Sequence, residues 1–393
     1  MVNNIASPPP LHDVAIVGAG PVGATLALAL ADSDLDIVVL DAREPGATLR
    51  GDRSLALSHG ARLILERLGV WAALAQLPGA ATPIVAIDVS QAGGFGSTTL
   101  AAADAGLPAL GYVVSYRALQ QAQDAALACA GVRVRHGVGV TGVTSSAAQA
   151  LVACGDGVDV VRARLAVIAD GSGASVEGLV RQRHDYGQVA LVAKVWCATP
   201  HRGRAFERFA AQGPMALLPE ADHYALVWTA TPERARALLE QGDAEFLAAL
   251  RVQFGTRAGI FTRVADRRSF PLALEYARNP AAGRAVALGN AAQTLHPVAG
   301  QGFNVGLRDA FELGRIILDT APEAIGEAPM RERYVGDRRA DRLGGVAFTH
   351  ALVTVFGSEL PLARWPRGLA LALLDVLPPA KRVFTRAMLF GLR

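Results

Sequence analysis

The segment Asp13-Val14-Ala15-Ile16-Val17-Gly18-Ala19-Gly20-Pro21-Val22-Gly23 sets a Gly-x-Gly-x-x-Gly turn between two apolar runs, and this constrains the fold of the 393-residue chain most. Downstream lie Ala24-Thr25-Leu26-Ala27-Leu28-Ala29-Leu30 and then Leu35-Asp36-Ile37-Val38-Val39-Leu40-Asp41, so the order reads strand, glycine turn, helix, strand. Gly18 permits the tight turn, Gly20 leaves the backbone bare for a pyrophosphate, and Gly23 lets the helix pack on the strand. Pro21 and Val22 open that helix. Asp41 ends the second strand at the spacing of an acid that accepts from an adenosine ribose hydroxyl. The ligand expected is an ADP-containing dinucleotide, with FAD and NAD both open at this point.

A second strand-to-helix junction lies some 270 residues later. Arg284-Ala285-Val286-Ala287-Leu288 is a short apolar strand leading into Gly289 and Asn290, and Gly302-Phe303-Asn304 opens a helix that runs through Gly314. Between them lies Pro297-Val298-Ala299-Gly300-Gln301, a loop of mostly small residues. A helix start with free amides suits a developing negative charge, such as the pyrimidine edge of a reduced flavin; nicotinamide presents no comparable anion. A third strand, ending in Ala169-Asp170-Gly171, places an acid where a ribose or ribityl chain would pass. His296 is the candidate catalytic group, although a histidine before proline in a tight loop also suits a structural role.

This order of motifs resembles the class A flavoprotein aromatic hydroxylases of the para-hydroxybenzoate hydroxylase type. Within them the Gly289-Asn290-Ala291-Ala292-Gln293-Thr294-Leu295-His296-Pro297 segment is most similar to the ubiquinone-biosynthesis hydroxylases of the 2-polyprenyl-6-methoxyphenol type. The similarity covers residues 13 to 345. It includes Arg53-Ser54-Leu55-Ala56-Leu57-Ser58, which looks like a flavin-contacting arginine segment, and Ala205-Phe206-Glu207-Arg208-Phe209 with Gly213-Pro214-Met215, which looks like a substrate-domain signature. Arg117, opening a helix, resembles an arginine that approaches the cofactor. Two departures stand out: Ala174 and Glu177 replace the usual serine and arginine after the Asp-Gly turn, and Asn290 replaces an aspartate while keeping a side-chain acceptor.

The resemblance implies an α/β fold: a Rossmann-like FAD-binding domain built from residues 1–75, 107–182 and 270–345, a second β-sheet substrate domain from 76–106 and 183–269, and C-terminal helices over 346–393. Strands are expected at Pro83–Val89 and Tyr224–Thr229 from their alternation. It also implies the reaction: NAD(P)H reduces FAD, O2 adds to give a C4a-hydroperoxide, and the electron-rich ring takes the distal oxygen. The protein would then position substrate and exclude water. No second nicotinamide-binding unit is visible, so the electron donor stays open.

Composition narrows the classes further. With 51% hydrophobic and 19% charged residues the chain is globular, with ample length for a large core. Cys129, Cys154 and Cys197 are scattered and odd in number, which argues against a disulfide scaffold and against zinc and points to a reducing compartment. Met1 to His12 carries no Lys or Arg before the first strand, so neither signal nor transit peptide is expected, and a cytoplasmic location follows. Residues 333–393 hold ten Lys/Arg against four Asp/Glu within a chain of net charge +3. There Leu360–Leu374 and Lys381–Phe390 mix apolar faces with Trp365 and arginines, a pattern that suits the inner face of the cytoplasmic membrane as well as helices capping the domains or forming a dimer contact. No nucleic-acid module is visible.

Three functions remain open on these grounds: a ring hydroxylase of a polyprenylated phenol in quinone biosynthesis, a soluble hydroxylase of a small phenolic acid, and a flavin-bearing organiser of a ubiquinone-biosynthesis complex.

Overall fold

A computed structural model describes residues 10–47, 52–155, 159–171, 174–210, 213–297, 300–357 and 361–391. Most of the leader, residues 172–173 of the Asp-Gly turn, Val298 and Ala299 of the glycine loop, and Leu360 of the tail lie outside them.

The strand Leu11–Val17 sits in the middle of a nine-stranded sheet, parallel to Ile37–Leu40 on one side and to Asp159–Ile168 on the other. Val14 to Val17 are buried, as expected of a parallel strand covered on both faces. Asp159–Ile168 serves two neighbours in turn: its first half pairs antiparallel with Ala150–Cys154 and its second half parallel with Ala285–Ala287. The C-terminal ends of four parallel strands therefore lie side by side, the place where open α/β sheets bind ligands. The helix Pro21–Leu30 begins on proline and is buried over most of its surface. It is wedged between this sheet and the helix Gln301–Leu318, where an added Cβ on Gly314 would lie 3.0 Å from Ala29 Cβ.

A second sheet of eight strands runs in the order Gln293–Thr294, Phe261–Ala277, Arg181–Cys197, His223–Ala230, Gly213–Glu220, Arg204–Ala210, Ala86–Gln91, Ser97–Ala101. The helices Pro232–Glu240 and Asp243–Phe254 cover one face, where Met215, Leu226, Trp228, Phe246 and Phe254 form a core. On the other face Ala205 packs with Ile84 and Val113, and Phe209 with Tyr186 and Leu352. Ser54–Ser58, Gly111–Ser115 and Ala81–Ile84 make a small third sheet between the two.

Two expectations are corrected here. The run Pro83–Val89 is not one strand: it breaks at Val85, whose N–H donates to Gly203 O, so that 81–84 joins the small sheet and 86–91 the eight-stranded one. The boundaries drawn at 182/183 and 269/270 fall inside the two 17-residue strands Arg181–Cys197 and Phe261–Ala277, which pair with one another along nearly their whole length. Their length carries them across both units.

The C-terminal region is helical: Ala328–Gly357, Pro361–Val376 and Pro378–Phe390. A buried ion network ties the first of these to Gln301–Leu318. Arg308 meets Asp341 at 2.8 Å, Arg338 meets Asp309 at 2.7 Å, and Arg338 also bonds Asp341. Burial pushes the Asp341 carboxyl up, but Arg308 and Arg338 together hold it below the usual carboxylate range.

Candidate flavin site

The glycine turn is shaped by contact. Gly18 has φ +96°, and a Cβ there would stand 2.7 Å from Asp170 Cα; a Cβ on Gly23 would stand 2.0 Å from Gly18 O. Neither position tolerates a side chain, because the first brings the Asp170 strand end against the turn and the second seats the helix on it. At Gly20 an added Cβ would find only Tyr116 Oη, at 4.0 Å. The backbone there borders open space, as close approach of a pyrophosphate requires. Tyr116 opens the helix Tyr116–Cys129, with Ser115 as N-cap, so the helix start carrying Arg117 is brought to the glycine turn.

Around this edge the sequence candidates gather. Asp41 is buried; its Oδ2 accepts from Ala19 N at 2.9 Å and its Oδ1 from Arg43 N at 2.8 Å. The Arg43 guanidinium lies against the same carboxylate and holds it, despite burial, below the usual range. Arg43, which also reaches Asp124, is a site residue the sequence reading missed; its signal was a cation two places after the acid. Arg53 stacks its guanidinium over the Tyr116 ring at 4.3 Å. Asp52 holds this corner together, since its carboxylate accepts from Arg53 N, Arg117 N and Ser115 Oγ. The exposed Asp170 accepts from Ala174 N at 2.7 Å, and Gly171 follows with φ +95°. Ala174, in the serine's place, thus serves the turn through its backbone.

The distant loop closes the other end. Gly289 has φ +56° and packs on Val22, while Asn290 is exposed beyond it. Pro297 is exposed, and Gly300, with φ +59°, is the N-cap of Gln301–Leu318. The first amides of that helix, including those of Gly302 and Phe303, have no intrahelical acceptor and carry the positive end of its dipole. Asn304 is buried: its Oδ1 accepts from Ser58 N at 2.8 Å, and its Nδ2 donates to Ala56 O and Gly300 O. It clamps the Arg53–Ser58 segment onto the loop, a positioning role in which these bonds go to the protein itself.

His296 is 1% exposed, and burial alone depresses its pKa to about 4, so the ring is neutral near pH 7. It meets the Tyr186 ring edge-on at 5.5 Å, and Tyr186 Oη is hydrogen-bonded to His350 Nδ1 at 3.2 Å. Tyr186 and His350 come from a strand and a helix far apart in sequence, which gave no signal for them.

The edge fits an ADP-containing dinucleotide at one end and an anionic ring edge at the other, the pattern of a flavin protein. The FAD binding domain family model matches residues 12–340. Ubiquinone hydroxylase UbiL of Rhodospirillum rubrum is 34% identical over 95% of this chain and 88% of its own length. The 3-demethoxyubiquinol 3-hydroxylase of Escherichia coli is 31% identical over 91% and 93%. In fold the chain resembles p-nitrophenol 4-monooxygenase PnpA of Pseudomonas putida DLL-E4, with a TM-score of 0.76, 16% identity and 98% and 99% of the two chains covered. The chain belongs to this FAD-binding family and is an FAD-dependent aromatic hydroxylase of the type its motifs resemble.

Proposed function

We propose that the chain hydroxylates the ring of a polyprenylated phenol, of the 2-polyprenyl-6-methoxyphenol type, in ubiquinone biosynthesis, with O2 and with NAD(P)H as reductant. FAD when bound supplies the electrons and activates the oxygen; the protein holds it, aligns the phenol and keeps water away. Gly18, Gly20, Gly23 and Asp41 hold the ADP half in this reading. Arg53, Arg117, Asp170 and Asn290 flank the ribityl chain, and the Pro297–Asn304 loop borders the ring, with His296 as a neutral wall behind it.

One observation carries the substrate class. A cavity of about 670 Å³ runs between Val305, Gly345, Phe348, Leu374, Val383, Phe384 and Met388, is overwhelmingly apolar, and includes Gln301 of the flavin loop in its wall. At its outer end Val383 is 71% exposed. A closed pocket for a small phenolic acid has no use for such a channel; an isoprenoid tail does. Replacing Ala387 in the wall with tryptophan should raise KM for a long-tailed phenol several-fold while sparing a tail-less one. Equal effects on both would refute the tail assignment.

The channel opens beside an apolar stripe. Trp365, Leu369, Leu373 and Val376 are exposed and share one face of Pro361–Val376, while Leu371 and Gly368 face the protein. With exposed Arg382 and Arg386 nearby, this face suits the surface of an anionic bilayer in which the tail resides. Among the described residues no helix is long and apolar enough to cross a membrane. Triple replacement Trp365→Ser, Leu369→Ser, Leu373→Ser should abolish flotation with anionic liposomes; unchanged flotation would remove the stripe from the account. These positions are preferable to deleting the tail, because Leu389 and Thr385 of the last helix are buried.

A further inference from the structure

The face of the eight-stranded sheet opposite its covering helices carries one register row running straight across it. Val89, Glu207, Ala216, Val227, Val192 and Arg268 are successive partners on six strands. The first five are each only half-buried, whereas in the adjacent row Phe209, Pro214, Thr229 and Ala190 are buried. The row is a shallow apolar floor, and Glu207 is the acid in it.

The side-chain alternation fixes where Glu207 points. Phe206 packs with Phe254 on the helix-covered face, and Arg208 Nε donates to Gln253 O on that same face. Between them Glu207 must point the opposite way, beside Ala205, which packs with Ile84 and Val113 of the small sheet, and Phe209, which packs with Tyr186 and Leu352. Leu352 lies one turn beyond Phe348 on the helix Ala328–Gly357, so the apolar channel and the space over Glu207 share one helix face. Through Phe209 and Tyr186 the same surface reaches His296 and the flavin loop.

Among the described residues no donor or cation reaches the Glu207 carboxylate. The other charged groups on this face are engaged or distant. Glu220 bonds Ser54 and His223, Lys194 pairs with Asp266, and Arg268 stands four strands away, about 19 Å at ordinary strand spacing. Asp88 and Arg204 pair on the opposite face. Toward the loop stand the titratable groups Tyr186, His350, His296 and His184; Tyr186 and His350 bond each other, and His184 packs edge-on against both. Burial without a partner pushes the Glu207 carboxyl up to about 8. Its surface is nevertheless partly open, so it faces an internal space rather than a packed core.

We propose that Glu207 is the base that takes the proton from the ring hydroxyl of the substrate. The phenolic O–H bond breaks and a carboxyl O–H bond forms. The electron pair left on oxygen delocalises into the ring and makes the carbon that accepts oxygen more nucleophilic; the proton returns to the product oxygen or leaves with solvent on release. A buried carboxylate whose proton affinity sits between that of an ordinary acid and that of a phenol is matched to this transfer. The proposal rests on the substrate being a phenol and is independent of the length of its tail.

The test uses the FAD-loaded full chain with a short-tailed prenylated methoxyphenol, following product formed per O2 consumed across pH 6 to 9.5. Wild-type kcat/KM should rise with pH and level off above about 8. Glu207→Gln should keep flavin content and phenol binding, lose hydroxylated product roughly 100-fold, and lose the rising limb. Glu207→Ala should recover product on adding formate, which a purely structural role would not allow. Product yield and pH profile unchanged in Glu207→Gln, or no formate rescue of a folded Glu207→Ala, would overturn the assignment. A wild-type protein that hydroxylates no prenylated phenol would instead overturn the substrate reading on which it stands.

Discussion

Asn304 and Ser58, separated by 246 residues, are joined by a 2.8 Å hydrogen bond in which the Ser58 amide donates to the Asn304 side chain. The Nδ2 of the Asn304 side chain in turn donates to Ala56 O and Gly300 O, so one side chain locks a β-strand to the left-handed N-cap of the loop helix. Asn304→Leu would forfeit three bonds and leave buried backbone groups unpaired, costing about 2–4 kcal/mol. Urea unfolding and the flavin-to-protein absorbance ratio should both fall. Asn304→Asp keeps the Ser58 bond and should sit between; full flavin and an unshifted midpoint in Asn304→Leu would refute the clamp.

Gly20 and Gly23 are three residues apart and should fail in different ways. An added Cβ at Gly23 collides with Gly18 O, so Gly23→Ala should give little soluble protein. At Gly20 the protein leaves room, so Gly20→Ala should fold with near-normal stability and bind FAD at least tenfold more weakly, the methyl lying where the pyrophosphate approaches. Isothermal titration of apoprotein with FAD separates the cases, and undiminished affinity in Gly20→Ala would place the pyrophosphate elsewhere.

His296 makes stability depend on pH in a stated direction. Burial holds its folded pKa near 4, whereas an unfolded histidine titrates near about 6.5. Between these values the unfolded chain binds the extra proton, so stability is intact above about pH 6.5 and declines as pH falls toward 4, by roughly 3 kcal/mol when complete. His296→Phe should flatten that acid limb in urea midpoints measured from pH 7.5 to 4.5. If turnover and its pH profile survive the replacement, the histidine is a wall and not an acid or base.

The Arg338–Asp309 pair is almost wholly excluded from solvent. Arg338→Met should cost about 3–5 kcal/mol by stranding Asp309, and Arg338→Met with Asp309→Leu should cost clearly less than the two singles added together. Additive losses in denaturant titrations would show that the two side chains act independently.

Much of the cofactor edge was legible in the chain because glycine marks backbone that no other residue can adopt or approach. Gly18 and Gly300 have positive φ, and Gly23 has no room for a Cβ. Asp41 follows its strand as expected, and the cation two places later was the one local sign that Arg43 would occupy its carboxylate. The floor row was illegible: Glu207 and Val227 look unrelated until two strand pairings fix their register, and register is a long-range property. Pro83–Val89 read as one strand because alternation continues through Val85; the change of sheet is set by Gly203, more than a hundred residues away. The amphipathicity of the last helices was visible in sequence, while which face remained open was decided by the strand Ser97–Ala101 and by Asp104 against Lys381.

The strand Phe261–Ala277 ends by pairing Glu275 with Thr294 and Tyr276 with Gln293, the residues that lead into His296 and Pro297. Floor and loop are thus knitted into a single sheet. The segment that leads into His296 is therefore an outer rung of the same sheet, held by the backbone pairing that also holds the floor.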